Sequence, residues 1–566
     1  MAWSLRRKYL DLLDREEGWV KKIWGDHMTI CLAYPNHYRA GMSNLGFQTI
    51  YRIINNHPSF LCERVFLPDP EDEESFSSGS LPLFSLESQK PLREFDVVAF
   101  SIPFENDYPN ILKMLDMAGI PLTAADRTDA DPLIVGGGFS ASLNPEPLAD
   151  FFDLFLLGEG EDLAPEYLEA VKSARTGGLT KRETLYRIQR HVKGAYCPQY
   201  YKVEYTQDGL IESFKPLDPT FPEKIKRRKM TGIDHFTTDQ CLTTPDTEFG
   251  GIFLTEVSRG CGRGCRFCAA GFVGRPPRFR HGEILASSIH RGLAAGQKIG
   301  LLGTAVSDMP DLPRVCRSII SQGGKFSIGS LRLDRINKET AALLGQAVAE
   351  TVALAPEAGS QRLRDVIHKG ITEEHIFTAA DALLAQGITN IRLYFMVGLP
   401  SETAEDVEAL IDLVQKIKGH AVKSPAGKRT FRLITVSVNQ FIPKAATPFQ
   451  WCPLEDVNAV RKKMRRIVSA LRREKAVKVI HDIPKWNYIQ ALLSLGDRRV
   501  GKILLAAHRH GGNWSQAMKA ADEDPDFYVY RRKDLSEILP WDFIDYGVTK
   551  SFLMKEYEKA SQGAIT

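Results

Sequence analysis

Three cysteines, Cys261, Cys265 and Cys268, lie within eight residues with the spacing C-x3-C-x2-C. They follow an apolar run over residues 252–257, which predicts a buried strand. Glycines alternate with other residues through this stretch and let the backbone fold tightly enough for three thiolates to converge. A chain that folds around this stretch must therefore place a metal-binding loop at the end of a core strand.

The number of cysteines restricts which metal this loop can hold. A structural zinc ion takes four ligands, and no fourth cysteine or suitably spaced histidine lies nearby in the sequence. A [4Fe–4S] cluster is also usually held by four cysteines, so three of them would leave one iron open for chemistry. The alternatives are a structural zinc knuckle and a chance grouping of cysteines.

At these residues the sequence resembles the radical S-adenosylmethionine (SAM) family, and Phe267 fits the family's aromatic residue before the third cysteine. The resemblance implies that Cys261, Cys265 and Cys268 ligate a [4Fe–4S] cluster whose open iron chelates the amino and carboxylate groups of SAM. It also implies that one electron, from a donor of flavodoxin or ferredoxin type, splits SAM into methionine and a 5′-deoxyadenosyl radical.

Composition places the chain among ordinary globular proteins: 566 residues, 43% hydrophobic and 25% charged. No apolar run reaches the roughly 18 residues of a membrane span, and charges near Met1 interrupt the apolar core that a signal peptide needs. We therefore expect a cytoplasmic protein. Nine cysteines in so long a chain do not form a disulfide framework, and those outside the loop are expected to be mostly small buried residues.

The first third of the chain alternates strand and helix patterns. A helix over residues 1–26 is followed by a domain over 27–175 with predicted strands at 28–34, 95–101, 132–135 and 152–157. Helices are predicted between them, for example at 43–54 and 106–118. This alternation predicts an α/β, doubly wound parallel sheet, whose ligands lie beyond the carboxyl ends of the strands.

This domain resembles the cobalamin-binding-like domain that precedes many radical SAM barrels. The resemblance rests on Tyr34-Pro35, on the stretch from Gly41 to Gly46, and on two glycine-rich strand ends. The residues that it implies as cobalamin contacts are Tyr38, Ser43, Gly136, Gly137, Gly138, Gly158 and Glu159.

The resemblance departs at the cobalt ligand. Many such domains carry D-x-H-x-x-G, whose histidine ligates cobalt, but here Tyr38 stands at that position and His37 is out of register. A phenol has a pKa near 10 and should ligate cobalt poorly at neutral pH. Cobalamin is therefore either bound without a protein imidazole, between the N-terminal sheet and the barrel mouth, or not bound at all.

Residues 176–250 are predicted to be a polar connector. It contains a hairpin around 200–214 and a basic run at 224–229. The run is interpreted either as solvated linker or as a contact to an anionic substrate. The strand–helix alternation then restarts over 251–452, with strands at 252–257, 299–303, 326–333, 351–355, 391–397 and 433–441. Six such units resemble the partial (β/α)6 barrel of the radical SAM family.

Polar and glycine-rich elements follow these barrel strands, where active residues of such barrels gather. By resemblance, the elements after strands 2 to 4 meet the methionine end and ribose of SAM, with Glu357 near the ribose and an arginine near the carboxylate. Backbone after strands 5 and 6 commonly touches adenine. The residues predicted to contact SAM are Phe267, Gly303, Thr304, Ser330, Arg332, Glu357, Arg362, Gly398 and Pro443.

The last segment, 453–566, is not explained by the barrel. Residues 461–510 hold fourteen Lys and Arg against three acids, a clustering typical of a polyanion partner such as RNA. Trp486, Tyr488 and Trp514 are candidates for base stacking. The alternative is a helix with a solvated basic face and core aromatics. No cysteine follows Cys452, so a second cluster is not expected.

Together these features predict a radical SAM enzyme of the cobalamin-domain type that performs methyl transfer or another radical modification of an RNA, peptide or metabolite. Cobalamin-independent chemistry, such as methylthiolation or rearrangement, is the first alternative. The second is a non-catalytic iron–sulfur protein that binds RNA, and the strand-end SAM elements argue against it.

Overall fold

The structure is a computed structural model that describes residues 2–77, 81–347, 350–425 and 427–561. Within these ranges, no helix combines the length and the apolar character that crossing a bilayer requires.

The N-terminal domain has a six-stranded sheet in the order β2-β1-β3-β4-β5-β6. Its strands are β1 (Met28–Tyr34), β2 (Phe60–Phe66), β3 (Val97–Ser101), β4 (Leu133–Gly137), β5 (Leu154–Leu156) and β6 (Ala195–Tyr196). Its helices are α1 (Ala2–Leu13), α2 (Tyr38–Met42), α3 (Leu45–Asn56), α4 (Glu73–Ser77), α5 (Tyr108–Met117), α6 (Gly160–Thr176) and α7 (Lys181–His191). Strands β1 to β5 are parallel and β6 pairs antiparallel with β5.

This architecture confirms the predicted doubly wound sheet, and the order of its first five strands is the flavodoxin-like one. The helix predicted over residues 1–26 is wrong beyond Leu13, where α1 ends, because the chain then extends and Glu17 pairs with Thr243. Asn44 caps α3, its Oδ1 accepting the Phe47 amide at 3.0 Å. Strand β2 was not predicted, because Glu63 and Arg64 interrupt its apolar pattern. Both side chains are buried, and Arg64 is bound by Glu16 and Glu87 at 2.6 Å each.

The connector contains the hairpin β7 (Tyr201–Tyr205) and β8 (Ile211–Pro216), as predicted, followed by the short strand β9 (Ile225–Lys226). The basic run after β9 is not solvated linker throughout. Arg227 is buried, the Arg228 side chain pairs with Glu166, and the Lys229 ammonium donates to the Arg275 carbonyl at 2.9 Å. The connector is therefore folded against its neighbours.

The barrel region forms two sheets, in the orders β11-β10-β12-β13 and β14-β15-β16-β17. The strands are β10 (Ile252–Arg259), β11 (Arg278–Phe279), β12 (Lys298–Gly303), β13 (Phe326–Ile328), β14 (Thr351–Glu357), β15 (Asn390–Val397), β16 (Leu433–Gln440) and β17 (Val477–His481). The helices are α8 (Ala270–Val273), α9 (Gly282–Ala294), α10 (Leu312–Ser321), α11 (Lys338–Gln346), α12 (Gln361–Val366), α13 (Glu373–Ala385), α14 (Ala404–Lys423) and α15 (Gly427–Thr430).

All of these strands except β11 run parallel to their neighbours, which confirms the predicted α/β class of this region. Two elements differ from the prediction. The third strand stops at Ile328 rather than at residue 333, and β17 adds a parallel edge strand from the basic segment. The sequence also predicts a helix over residues 337–349. Helix α11 begins at Lys338 and is observed to Gln346, and residues 348–349 lie outside the described ranges.

The last segment is mostly helical and packs on both preceding regions. It contains α16 (Val457–Leu471), α17 (Pro484–Leu495), α18 (Val500–Arg509), α19 (Trp514–Ala520), α20 (Pro525–Val529), β18 (Ile544–Asp545) and α21 (Lys550–Ser561). Strand β18 pairs with β9, and Arg498 bonds Glu146 at 2.9 Å. One apolar core joins the N-terminal sheet, the helix after the cysteine loop and helices α17 to α21.

Candidate active site

The three cysteines lie in the loop between β10 and α8, as the sequence predicts. Gly260 opens this loop with a φ of +79°, and a Cβ there would lie 1.9 Å from the Gly274 carbonyl oxygen. No other residue fits so close to neighbouring backbone. The chain therefore turns sharply off the end of β10 and brings the cysteines to the barrel mouth.

The backbone around the first cysteine is arranged as it is around cluster thiolates. The Arg263 amide points at the Cys261 sulfur, 3.4 Å away.

Burial sets the protonation of these thiols before metal binds. It raises the pKa of Cys265 above its usual range and the pKa of Cys268 to about 11. Both thiols are thus protonated at neutral pH when no metal is present, and ligation must displace their protons.

Arg266 lies within the cysteine loop and binds this loop to two neighbouring elements. The side chain is buried and donates to the carbonyls of Asp365 and Val366 at 3.2 and 2.8 Å. It also donates twice to one carboxylate oxygen of Glu556, on α21, at 3.3 and 3.2 Å. The cysteine loop is therefore held by α12 on one side and by the C-terminal helix on the other.

Glu357 ends β14 with a φ of +69°, a backbone conformation that is costly for a residue with a side chain. Its carboxylate accepts a hydrogen bond from the Lys369 ammonium at 2.9 Å. Lys369, Arg332 and Glu357 all lie near enough to Cys265 to act on the pKa of its thiol, although burial has the larger effect. The two cations beside the cysteines suit the carboxylate of SAM, and Glu357 remains the predicted ribose contact.

Lys369 was not predicted, because a single lysine after a helix carries no sequence signal. Other predicted residues hold the neighbouring loops in place. The Ser330 hydroxyl donates to the Gly303 carbonyl at 2.9 Å, and the Arg332 guanidinium bonds Asp334 at 3.0 Å. The first of these contacts joins the ends of β12 and β13, and the second orders the loop that follows β13.

A cavity of about 470 Å³ separates the N-terminal sheet from the barrel mouth. Its walls are the carboxyl ends of β3, β4 and β5, the starts of α3 and α6, the end of β12 and the backbone at Gly260. The volume is within the ~300–1,000 Å³ typical of ligand sites. Seven predicted site residues line it: Gly136, Gly137, Gly138, Gly158, Glu159, Gly303 and Thr304.

An ion network closes the side of the cavity next to β10. Glu159 bonds Arg278 at 2.6 Å and Arg259 at 3.2 Å, and Arg259 also bonds Glu161 at 2.6 Å. Burial alone would raise the pKa of Glu159, but the arginines outweigh it and hold that pKa below its ordinary value. These carboxylates therefore stay charged and rigid.

The remaining predicted residues lie outside this cavity. Tyr38 is buried and its hydroxyl donates to Glu16 at 2.6 Å, while the Ser43 hydroxyl donates to the Arg39 carbonyl at 2.7 Å. Burial, with the Glu16 charge, raises the pKa of the Tyr38 phenol well above its usual range. The others have structural partners: Arg362 bonds Asp406, Gly398 donates to Glu402, the Pro443 carbonyl accepts from Ser494, and Phe267 packs on the core.

The basic segment divides into paired and unpaired cations. Lys463, Arg466, Arg498, Arg499 and Lys502 form ion pairs with acids. A groove between α16 and the end of β17 is lined by four exposed arginines, with no acid within ion-pair distance among the described residues: Arg461, Arg465, Arg472 and Arg473. Of the predicted stacking aromatics, Trp514 is buried and Trp486 is 46% exposed.

Two family models match the chain. The model for the N-terminal domain of radical SAM proteins matches residues 46–198, and the model for the radical SAM superfamily matches residues 255–414. An uncharacterized protein of Methanocaldococcus jannaschii is 29% identical over 479 residues, 84% of this chain and 90% of its own length.

Other relatives match shorter stretches. An uncharacterized methyltransferase of Pyrococcus horikoshii is 23% identical over 55% of this chain and 67% of its own length. The tRNA-2-methylthio-N(6)-dimethylallyladenosine synthase of Carboxydothermus hydrogenoformans is 25% identical over 29% of this chain and 40% of its own. The cobalamin-dependent SAM radical enzyme OxsB aligns in structure with a TM-score of 0.46 at 13% identity, covering 95% and 79% of the two chains.

The two family matches together cover more than half of the chain and enclose the three cysteines, strands β2 to β6 of the N-terminal sheet and the strand-end elements as far as Gly398. They imply the [4Fe–4S] cluster and SAM, and the donor set at the barrel mouth fits both groups. The chain therefore belongs to the radical SAM superfamily and is a radical SAM enzyme with the N-terminal domain of that family.

Proposed function

We propose that this radical SAM enzyme holds cobalamin in the cavity between its two α/β regions and uses it, with SAM, to transfer methyl groups. The observation that supports the proposal is the cavity itself. The ligand edge of the flavodoxin-like sheet forms one side of the cavity, and the start of the cysteine loop forms part of the other side. When bound, cobalamin would carry the methyl group. SAM would supply that methyl group, and the cluster would supply the electron.

The side chains of the cavity are consistent with cobalamin bound without a protein imidazole. None of the described residues that line the cavity is a histidine. Tyr38, at the register of the usual cobalt ligand, is instead bound to Glu16 and does not line the cavity. The chain would then hold cobalamin through the shape of the cavity. Gly137 leaves room there, because the nearest atom to an added Cβ is the Leu156 carbonyl oxygen at 3.7 Å.

A substitution at Gly137 tests this assignment. Gly137→Leu should fill the cavity without a backbone clash, because the space around an added Cβ is open and its φ is not in the left-handed region. We expect the variant to keep its cluster and SAM cleavage but to lose hydroxocobalamin, measured by absorbance after anaerobic reconstitution. Gly419→Leu is the matched control, since Gly419 in α14 has no neighbour within 4 Å of an added Cβ.

Three outcomes separate the alternatives. Cobalamin retained by the wild type and lost by Gly137→Leu supports the proposal. A wild type that cleaves SAM but retains no cobalamin would establish cobalamin-independent chemistry instead. If cobalamin binds, the paramagnetic resonance spectrum of its cobalt(II) form should show no nitrogen splitting from a protein imidazole, and such splitting would refute the histidine-free site.

We further propose that the substrate is an RNA that docks on the groove of Arg461, Arg465, Arg472 and Arg473. Four guanidinium groups without carboxylate partners in the described chain favour a ligand with repeated phosphates. Trp486 lies two residues beyond Pro484, which lines the groove, and its exposed ring offers a stacking surface for an unpaired base. The relative from Carboxydothermus hydrogenoformans, whose name describes tRNA modification, is consistent with this substrate class.

Charge reversal tests the RNA proposal. The double variant Arg465→Glu and Arg472→Glu should weaken binding of bulk tRNA at least tenfold and flatten its dependence on salt, because each lost phosphate contact removes a released counterion. The double variant Arg187→Glu and Arg190→Glu, on the exposed face of α7, is the control, because it changes the net charge by the same amount. Equal tRNA binding by both variants would exclude this groove and leave a peptide or a metabolite as the substrate.

A further inference from the structure

Arg227 follows β9 and lines the cavity between the sheet and the barrel. The side chain is 7% exposed. Within the described residues its side-chain hydrogen bonding is one contact, from Nη1 to the Val273 carbonyl at 3.3 Å, and its buried Nε has no partner. Among the described residues no carboxylate forms an ion pair with its guanidinium, although the charge of Glu159 is near enough to raise the Arg227 pKa, so Arg227 is a buried cation without a direct counterion.

Neighbouring arginines, unlike Arg227, have carboxylate partners. Arg259 is bound by Glu159, Glu161 and Glu256, Arg278 by Glu159, and Arg280 by Glu256. The glutamates beside the cavity are therefore already engaged. Burial lowers the pKa of Arg227, but a guanidinium remains charged at neutral pH in proteins. An unpaired buried charge is expensive, so the site favours an anion.

Helix α6 adds a second anion-attracting group to the same wall. This 17-residue helix begins at Gly160, and both Gly160 and the preceding Gly158 line the cavity. The amino end of a helix carries partial positive charge, which attracts phosphate and carboxylate. The first turn of α6 also carries Glu161 and Asp162, and the Glu161 carboxylate is already bound by Arg259. An added Cβ at Gly160 would lie 2.3 Å from the Ile50 side chain, and one at Gly158 2.4 Å from the Arg228 carbonyl oxygen. Gly158, which also has a φ of +138°, therefore excludes larger residues, whereas the contact at Gly160 is only with the terminal methyl of a side chain.

We propose that Arg227 and the amino end of α6 form a phosphate subsite in this cavity. For cobalamin, the group it would take is the phosphodiester of the nucleotide tail, so the inference rests on the proposed cobalamin function. A nucleotide offers the same chemistry from a second source. The phosphate supplies the counterion that Arg227 lacks, and the apolar remainder of the cavity receives the rest of the ligand.

Two corrinoids that differ in the tail test this subsite. Hydroxocobalamin carries the phosphodiester, and cobinamide lacks it. The wild type should bind hydroxocobalamin at least tenfold more tightly, and Arg227→Gln should lose that difference while its affinity for cobinamide is unchanged. Arg228→Gln is the matched control, because the adjacent side chain pairs with Glu166 and does not line the cavity. Binding is measured by quenching of tryptophan fluorescence.

Thermal unfolding gives a second readout that does not depend on activity. Without ligand, Arg227→Gln should unfold at the same temperature as the wild type or higher, because it removes an unpaired buried charge. With hydroxocobalamin the order should reverse. A large loss of unliganded stability in Arg227→Gln would show that Arg227 has a structural partner and would overturn the subsite.

The remaining outcomes distinguish this inference from the proposed function. If the wild type binds both corrinoids equally and Arg227→Gln changes neither, cobalamin binding stands and the phosphate subsite is refuted. If the wild type binds neither corrinoid, the cobalamin function fails, and with it the phosphodiester assignment. Binding of adenosine monophosphate that Arg227→Gln abolishes would support the subsite with a nucleotide as the source of its phosphate.

Discussion

Replacing Glu556 by alanine should loosen the cysteine loop, although Glu556 lies some 290 positions along the chain from Arg266. The substitution leaves Arg266 buried with its two backbone carbonyl partners but without a counterion. Burial alone would raise the pKa of Glu556, but Lys559 and Arg266 hold it below its usual value, so a charged carboxylate is lost.

The size of the effect follows from the contacts. Breaking a buried ion pair by removing one partner costs about 3–5 kcal/mol. The two bonds from Arg266 to Glu556 are long, at 3.3 and 3.2 Å, and two others remain, so we expect a value near the lower end, about 3 kcal/mol. Because about 1.4 kcal/mol is a factor of ten, local opening of the loop should become on the order of 100-fold more frequent.

Hydrogen exchange of the reconstituted enzyme, followed by mass spectrometry of a peptide over residues 265–273, measures this opening. Faster loss of iron to a chelator is the expected functional consequence. Glu558→Ala is the control, since Glu558 is an exposed carboxylate two positions away on α21. If Glu556→Ala and Glu558→Ala exchange at the same rate, the C-terminal helix does not support the cysteine loop and the reasoning is wrong.

Three further predictions follow from the site and the core. Alanine at Cys261, Cys265 or Cys268 should abolish the reconstituted cluster spectrum, and four irons retained by the triple variant would contradict the assignment. Glu357→Gln, which removes the charge bound by Lys369, should weaken SAM binding at least tenfold by equilibrium dialysis; unchanged affinity and cleavage would place the ribose contact elsewhere. Burial, aided by the Arg531 charge, lowers the pKa of Lys533 from 10.5 to about 8. Unfolded chains therefore bind more protons between these values, and thermal stability should rise with pH from about 8 to 10.5, a rise that Lys533→Met should remove.

The sequence was most informative where the residues of the site also determine the local backbone structure. The cysteine spacing, the glycine-rich strand ends and the alternation of strands and helices each follow from local rules, and they predicted the loop and both α/β regions. Gly137 and Gly303 were predicted as site residues for the same reason: each ends a parallel strand, and the carboxyl ends of such strands form the ligand edge.

The elements that were not predicted share a physical cause. Their charged residues are buried by partners far away in the sequence, and a local sequence pattern does not contain those partners. Strand β2 was missed because Glu63 and Arg64 look exposed until Glu16 and Glu87 neutralise the arginine. Arg227 lay inside a basic run interpreted as linker or as an anion contact, and its burial follows from the pairing of β9 with β18, more than 300 residues later. No local pattern contains such information.

The C-terminal segment is the region where sequence reasoning reached least far, and its packing bears on how the enzyme controls a radical. A primary carbon radical reacts with most neighbouring groups, so the loop that generates it must be rigid and the site closed. Here the cysteine loop rests on α12, which belongs to the barrel, and on α21, which lies beyond every family match. Buried Trp541, whose indole donates to Gln450 at 2.7 Å, packs the same segment against the barrel mouth.

The unit that positions the cluster therefore extends from β10 to α21. The arginine groove belongs to the same unit, because β17 pairs with β16 of the barrel and α16 precedes β17. A substrate bound on that groove would thus be held at a fixed distance from the cluster.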